Sequence, residues 1–226
     1  MTTGHLPEYA EHLIRARRAT RAFRPDPVPA HTLRAVFSLA GAAPSNSNTQ
    51  PWQVEVVSGA ARDRLGAALV AAHTRNDLSP DFPYREDLYQ GAYQRRRQCA
   101  GERLYAAVGI GRADHAARAA YNAQSLRFYG APHVALLFTP ANAEVRIAAD
   151  VGIYAQTLML AMTAYGIASC PQGLLSFYAD TIRAELGVRD RKVLLGISFG
   201  YAEESAPANT VRVARAELAE TTRFHS

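Results

Sequence analysis

The sequence predicts an α+β fold in a single domain, residues 1–226. Helical segments outnumber strands and cluster around them rather than alternating strictly with them. The strands are few and widely separated, and two of them are continuous apolar runs bounded by turn residues. No internal repeat or low-complexity linker divides the 226 residues. A chain of this length buries about 70% of its unfolded surface and needs no disulfide or structural metal. With 48% hydrophobic and 20% charged residues, it is neither disordered, collagen-like nor a disulfide scaffold.

Glu8 to Ala16 has helix-forming composition and runs into Arg17-Arg18-Ala19-Thr20-Arg21. Pro25-Asp26-Pro27-Val28-Pro29 cannot be helical and reads as an extended connector. Leu33, Val36, Phe37 and Ala40 share one face of a helix over Ala30–Ala42. Pro44 to Pro51 is a polar loop bracketed by prolines, followed by a strand over Trp52–Ser58 and a helix over Ala60–Thr74. Asn76 to Pro83 breaks the pattern, and two helices follow at Arg85–Val108 and Asp114–Phe128. His133–Thr139, between Pro132 and Pro140, reads as a buried strand. Ile147–Tyr165 is a helix apolar almost all round, so it is buried either in a core or between subunits, with Gly166 as its C-cap. A short helix over Phe177–Leu186 and a second buried strand over Lys192–Tyr201 complete the regular structure. After Pro207 the chain is polar and aperiodic.

Charge and composition narrow the function classes. The 25 Lys+Arg against 20 Asp+Glu leave +5, but 24 of the 25 are Arg, beside 43 alanines. That bias resembles genome composition more than selection for a nucleic-acid surface, and no nucleic-acid-binding module is recognisable. Arginine also suits planar, bidentate recognition of phosphate and carboxylate. Cys99 and Cys170 form no C-x-x-C and read as reduced thiols. No His pair has metal-ligand spacing. No window of eighteen residues is uncharged and apolar throughout, which argues against a membrane protein. Met1 to His5 shows no signal-peptide character, so a cytoplasmic protein is expected.

Three segments carry candidate chemistry, and each has a plainer alternative. Arg17-Arg18-x-x-Arg21 is either a solvated basic turn or a phosphate clamp, the latter if Arg212 and Arg215 fold back onto it. Pro44-Ser45-Asn46-Ser47-Asn48 is either a surface loop or a polar rim for a heteroatom-rich ligand. Cys170-Pro171-Gln172-Gly173 is either a structural turn or a place where backbone N–H groups approach a flat ligand. Cys170 has no adjacent base to activate it as a nucleophile. Gly109-Ile110-Gly111 lacks the third glycine and the preceding strand of a dinucleotide fingerprint.

Together these segments resemble the FMN-dependent nitroreductase family. Arg17-Arg18-Ala19-Thr20-Arg21-Ala22-Phe23, Pro27-Val28-Pro29 and Ala43 through Trp52 are similar to its N-terminal motifs. Asp150-Val151-Gly152 through Ala161, Tyr165-Gly166-Ile167, Cys170-Pro171-Gln172 and Gly200-Tyr201 are similar to its central helix, flavin-side turn and last core strand. Asn209-x-x-Arg212-x-x-Arg215 is similar to its closing phosphate segment. The stretch from Pro83 to Pro132 most resembles the branch that acts on nitroaromatics such as nitrobenzoates.

The resemblance implies a central, mainly antiparallel sheet surrounded by helices, in a domain-entwined homodimer. It also implies FMN with NAD(P)H as reductant, and a ping-pong hydride transfer through flavin N5 to a small electron-poor acceptor. Arg17 and Arg215 would bind the phosphate, with Arg18 beside it and Arg212 a further candidate. Arg21 would sit at the pyrimidine edge. Pro44, Ser45 and Asn48 would reach the flavin from the partner subunit, and Cys170, Pro171, Gln172 and Gly173 would line the ring. Where the family usually has Ser, this chain has Ala19, the loss of one hydroxyl contact of about 1 kcal/mol. No protein acid, base or nucleophile is expected, because the cofactor carries the chemistry. Residues from about 77 to 130 would cover the open flavin face. Tyr84 and Tyr93 could stack there on a planar substrate, and Arg95 or Arg97 could pair with a carboxylate or nitro oxygen; alternatively the tyrosines pack on the core and the arginines are solvated. The apolar Ile147–Tyr165 helix is expected in the dimer interface. An FMN dehydrogenase or oxidase and a non-catalytic flavin-binding protein are the competing readings.

Overall fold

In a computed structural model, described over residues 5–226, four strands form one antiparallel sheet in the order β1–β2–β4–β3. They are β1 (Gln53–Ser58), β2 (His133–Pro140), β3 (Ala168–Gln172) and β4 (Arg191–Gly200). Met1–Gly4, part of the stretch read above against a leader sequence, lie outside the described residues.

β2 organises the core. Val134 through Thr139 are all buried, because alternate side chains enter two different helix layers. Val134, Leu136 and Phe138 pack with Leu65 and Leu69 of α3 (Gly59–Thr74) and Ile182 of α7 (Ala179–Leu186). Ala135 and Leu137 pack with Val36 of α2 (Ala30–Ala40) and with α6 (Val145–Ala164). Gly196 of β4 is required by this packing: a Cβ there would meet Leu175 Cδ1 at 2.3 Å.

The long apolar helix α6 belongs to the protomer's own core. Val151, Tyr154, Leu158 and Met162 are buried within the protomer, the first of the two placements, core or subunit interface, that its apolar pattern left open. It had to be apolar on most sides because it packs simultaneously on the sheet, α2 and α1 (Leu6–Ala16). Ile153, 43% exposed, marks the face left open. By length and composition α6 is long enough to cross a bilayer, but that apolar surface is what fills the core here. It ends in a Schellman motif: Gly166 takes φ 71, Ile167 N–H donates to Met162 O (2.9 Å), and Gly166 N–H donates to Thr163 O (3.1 Å).

Three local expectations differ from the structure. Cys170–Gly173, read as a turn or a ligand-side segment, lies largely in β3, which pairs along its length with β4 and meets the extended N-terminal segment on its other side only at Ser169. A proline is tolerated there because an edge strand does not need every N–H. The helix expected over Arg85–Val108 is interrupted at Gly91 (φ 58), leaving a short turn at Glu86–Leu88 and α4 over Ala92–Ala107. The helix expected over Asp114–Phe128 stops at Gln124 as α5 (His115–Gln124), capped at its start by the Asp114 carboxylate, which accepts from Ala117 N–H (2.9 Å). Phe128 and Tyr129 then take left-handed backbone angles.

Buried His133 links the extended connector to the sheet. Its Nε2 accepts from Val28 N–H (2.9 Å), so Nδ1 carries the proton and donates to Ser58 Oγ (2.5 Å). Burial first, and the charge of Arg62 second, hold this imidazole below the ordinary histidine range. The folded state therefore binds this proton less tightly than the unfolded state. Its contribution to stability is complete above about pH 6.5, the unperturbed histidine value, and is lost as pH falls towards the lower folded value. Urea midpoints should drop from pH 7 to pH 5, and His133→Gln should flatten that dependence; an equally steep drop in the variant would assign it elsewhere.

Candidate active site

Arg17 ends α1 with φ −63 and ψ 121, turning the chain into an extended segment. That segment lies beside the sheet edge. Ala19 bridges Ser169, Thr20 N–H donates to Ser169 O (2.9 Å), and Phe23 bridges Ala202. Extended backbone alternates its side chains, which divides the arginine cluster. Arg17, Ala19 and Arg21 share one face, and Arg18 and Thr20 take the other.

The C-terminal segment is fastened over the first face by Asn209, which is buried. Its amide donates to Ala22 O (2.8 Å) and Glu203 O (2.9 Å), and its oxygen accepts from Arg21 N–H (2.7 Å). Arg103 of α4 donates to Arg212 O (2.9 Å), and Arg96 pairs with Glu220 (2.8 Å). These ties carry Arg215 to Arg17. The Arg17 guanidinium is held below its ordinary value, mainly by burial and then by the positive charge of Arg215. Among the described residues, Arg17, Arg21 and Arg215 have no carboxylate partner. Three guanidinium groups gathered without a counter-charge are complementary to an anion.

Cys170 adjoins this face from β3. Burial pushes its thiol up to about 11, against the opposing influence of Arg21 and Arg17, so it is a neutral wall rather than a nucleophile. The Gln172 side chain is occupied in the core: Nε2 donates to Ser125 O (2.7 Å), and Oε1 accepts from the Ser198 hydroxyl. Pro171 and Gly173 are exposed.

The other expected residues take the following places. Arg18 pairs with Glu204 (2.5 Å) beside a niche of about 180 Å³ that also borders Thr20 and Ser169. Arg212 folds back onto its own segment, donating to Asn209 O (2.9 Å) and Val211 O (3.1 Å). Pro44, Ser45 and Asn48 lie on a loop packed against α6, where Asp150 accepts from Asn46 N–H (3.1 Å) and Ser45 Oγ accepts from Gln50 N–H (2.9 Å). Asn48 itself has φ 56.

In the helical excursion, Tyr84 packs 5.3 Å from the Phe177 ring, and Tyr93 is exposed. Arg97 pairs with Glu86 (2.9 Å) and lies over Tyr89, whereas Arg95 is exposed. An open cleft of about 500 Å³ runs between Arg97, Tyr105 and Arg118. Arg118 covers the Tyr105 ring at 4.7 Å, and its Nε is buried without a partner among the described residues. The sequence reading passed over Tyr105, Arg118, Tyr121 and Tyr129, because ordinary helix and turn composition does not distinguish them.

The sequence profile of the nitroreductase family matches residues 14–201. The chain belongs to the nitroreductase family. A nitroreductase of Mycolicibacterium smegmatis, NfnB, is 68% identical over 222 residues, covering 98% of this chain and 95% of that protein. A crystal structure of the FMN-dependent nitroreductase NfnB from Mycobacterium smegmatis in complex with NADPH superposes with a TM-score of 0.96 at 68% identity, covering 98% of this chain and 100% of that one. A 4-nitrobenzoate reductase of Pseudomonas putida is 35% identical over 205 residues, covering 90% of this chain and 89% of that protein. The segment bearing Arg212 and Arg215 lies beyond the matched span, so only the fold brings it to this nitroreductase's arginine face.

Proposed function

We propose that this nitroreductase is an FMN-dependent oxidoreductase that uses NADPH to reduce nitroaromatic acceptors. The observation that carries the reading is the convergence of Arg17, Arg21 and Arg215 without a carboxylate partner. That donor set fits FMN: Arg17 and Arg215 take the phosphate, and Arg21 takes the pyrimidine edge. Cys170 to Gly173 border the ring with the neutral thiol and backbone groups. Bound FMN would supply the hydride-transfer chemistry between the nicotinamide and the acceptor. The chain's own residues hold the phosphate, place a positive charge at the ring and supply no titrating nucleophile.

The functional unit is a homodimer, in which the Pro44–Asn48 loop serves the partner subunit's site. One domain spans residues 1–226, with 77–130 covering the flavin face. Tyr84 and Tyr93, with Arg95 or Arg97, supply stacking and charge to the acceptor. The location is the cytoplasm. NADPH and nitroaromatics, rather than a biosynthetic dehydrogenation, follow the functions named for the relatives above.

Purified protein should carry an oxidised flavin spectrum. Anaerobic NADPH should bleach it, and nitrobenzoate should restore it. Bound FMN that NADPH leaves coloured would overturn the reductase reading and favour a non-catalytic flavin protein.

A further inference from the structure

The open cleft of about 500 Å³ in the helical excursion is lined by Glu86, Arg97, Glu102, Tyr105, Arg112 and Arg118, among others. That volume suits a multi-ring ligand rather than a single aromatic ring. Two of its three arginines already have carboxylates beside them. Arg97 pairs with Glu86 (2.9 Å), and Arg112 stands 3.9 Å from Glu102. Arg118 is the remaining cation. No carboxylate pairs with it among the described residues, and its Nε is buried without a hydrogen-bond partner. A buried donor left unpaired costs free energy and needs an account.

The position of Arg118 is set by its neighbours. Its guanidinium, from α5, lies over the ring of Tyr105 in α4 at 4.7 Å. Tyr105 is itself fixed, since its hydroxyl donates to Asn122 Oδ1 (3.0 Å) and Tyr121 meets its ring edge-on at 6.2 Å. A guanidinium seated on an aromatic face aims its fork in one direction and keeps its second planar face for another ring. The cleft also stands at a remove from the arginine face. Tyr121 contacts Tyr129 at 6.3 Å, and beyond them Gly130 passes beside the N-terminal segment, with Phe23 O 3.9 Å from where its Cβ would stand. On the other flank, Arg103 of α4 ties that helix to the C-terminal segment at Arg212 O.

We infer that this cleft receives the adenosine end of NADPH, with the Arg118 fork donating to the 2′-phosphate and the Arg118–Tyr105 stack offering a face to the adenine. A single-ring acceptor seated against the flavin does not span the intervening layer of tyrosines. A dinucleotide with its nicotinamide on the flavin extends past it. The 2′-phosphate is the group that distinguishes NADPH from NADH, and an arginine is the side chain suited to accommodate it. With Glu86 and Glu102 facing Arg97 and Arg112, Arg118 is the charge left to meet that phosphate. The inference rests on the FMN and NADPH reading above and names the residue that chooses between the two nicotinamide cofactors.

The test titrates the FMN-loaded enzyme by calorimetry with adenosine 2′,5′-bisphosphate and with adenosine 5′-monophosphate. Wild type should bind the bisphosphate about tenfold more tightly or better, the scale of a charge-assisted hydrogen bond. Arg118→Gln should bring the two nucleotides to about the same affinity, and Arg118→Lys, which keeps the charge but not the fork, should retain part of the difference. In turnover, Arg118→Gln should raise KM for NADPH about tenfold relative to KM for NADH. Equal affinity of wild type for the two nucleotides overturns the inference. So does an undiminished preference for the bisphosphate in Arg118→Gln or, if that variant does not fold, in Arg118→Lys. Displacement of the bisphosphate by 4-nitrobenzoate assigns the cleft to the acceptor and overturns it as well. Wild-type protein without FMN, or FMN that NADPH leaves coloured, overturns the redox reading instead, an outcome distinct from a flavin that NADPH bleaches in an enzyme indifferent to the 2′-phosphate.

Discussion

Leu158→Asp should abolish the folded protomer rather than merely dissociate a dimer. Leu158 is fully buried, in the cluster that contains Val36, Leu137, Met162 and Ile197. An aspartate there must either ionise without a partner or bury a protonated carboxyl, and the Leu volume is lost as well. The combined penalty is at least about 4 kcal/mol, against a net stability of about 5–15 kcal/mol for a typical domain. Circular dichroism should show loss of cooperative unfolding, and any FMN should be released. Ile153→Asp is the contrasting case, because Ile153 is 43% exposed in the protomer and a charge there leaves the core intact. A Leu158→Asp variant that keeps cooperative unfolding and loses only its dimer would show that Leu158 serves the subunit contact instead.

Arg17→Ala and Arg215→Ala should each weaken FMN by about 1.5–3 kcal/mol, the scale of a charge-assisted hydrogen bond. In affinity this is about ten- to over a hundredfold. Riboflavin, which lacks the phosphate, should bind wild type poorly and respond little to either substitution. Arg18→Ala provides the internal control, since the Arg18 guanidinium is paired with Glu204 on the opposite face of the segment. It should change FMN affinity much less than Arg17→Ala. Fluorescence titration of apoprotein measures all three. Equal losses at Arg17 and Arg18, or equal affinity for riboflavin and FMN, would remove the phosphate clamp.

Element identity was legible where periodicity reports burial. His133–Thr139 is apolar at every position because β2 faces two helix layers, and the run predicts a buried strand directly. Asp114 and Gly166 mark helix ends through local hydrogen bonding, so they too are readable from composition. The edge strand at Ala168–Gln172 was not legible. Pro171 and Gly173 carry turn character, and pairing with the distant β4 makes the segment a strand. The break at Gly91 was likewise hidden within otherwise helical composition.

For the candidate site, the sequence by itself determined the cast: an arginine-rich motif after the first helix, a second arginine pair near the C-terminus, and a small-residue segment at Cys170. These are local chemical patterns, and they were enough for the resemblance to an FMN-binding family. Tertiary structure decided which members meet. Alternation along an extended segment turns Arg17 and Arg21 to one face and sends Arg18 to Glu204, while the C-terminal segment fastened by Asn209 brings the charge of Arg215 to Arg17, with Arg212 and Arg215 both also donating to carbonyls of that segment. Composition records which charges a chain carries. Which of them lie within hydrogen-bonding reach depends on contacts between residues far apart in sequence, and those exist only once the sheet and its two helix layers have packed.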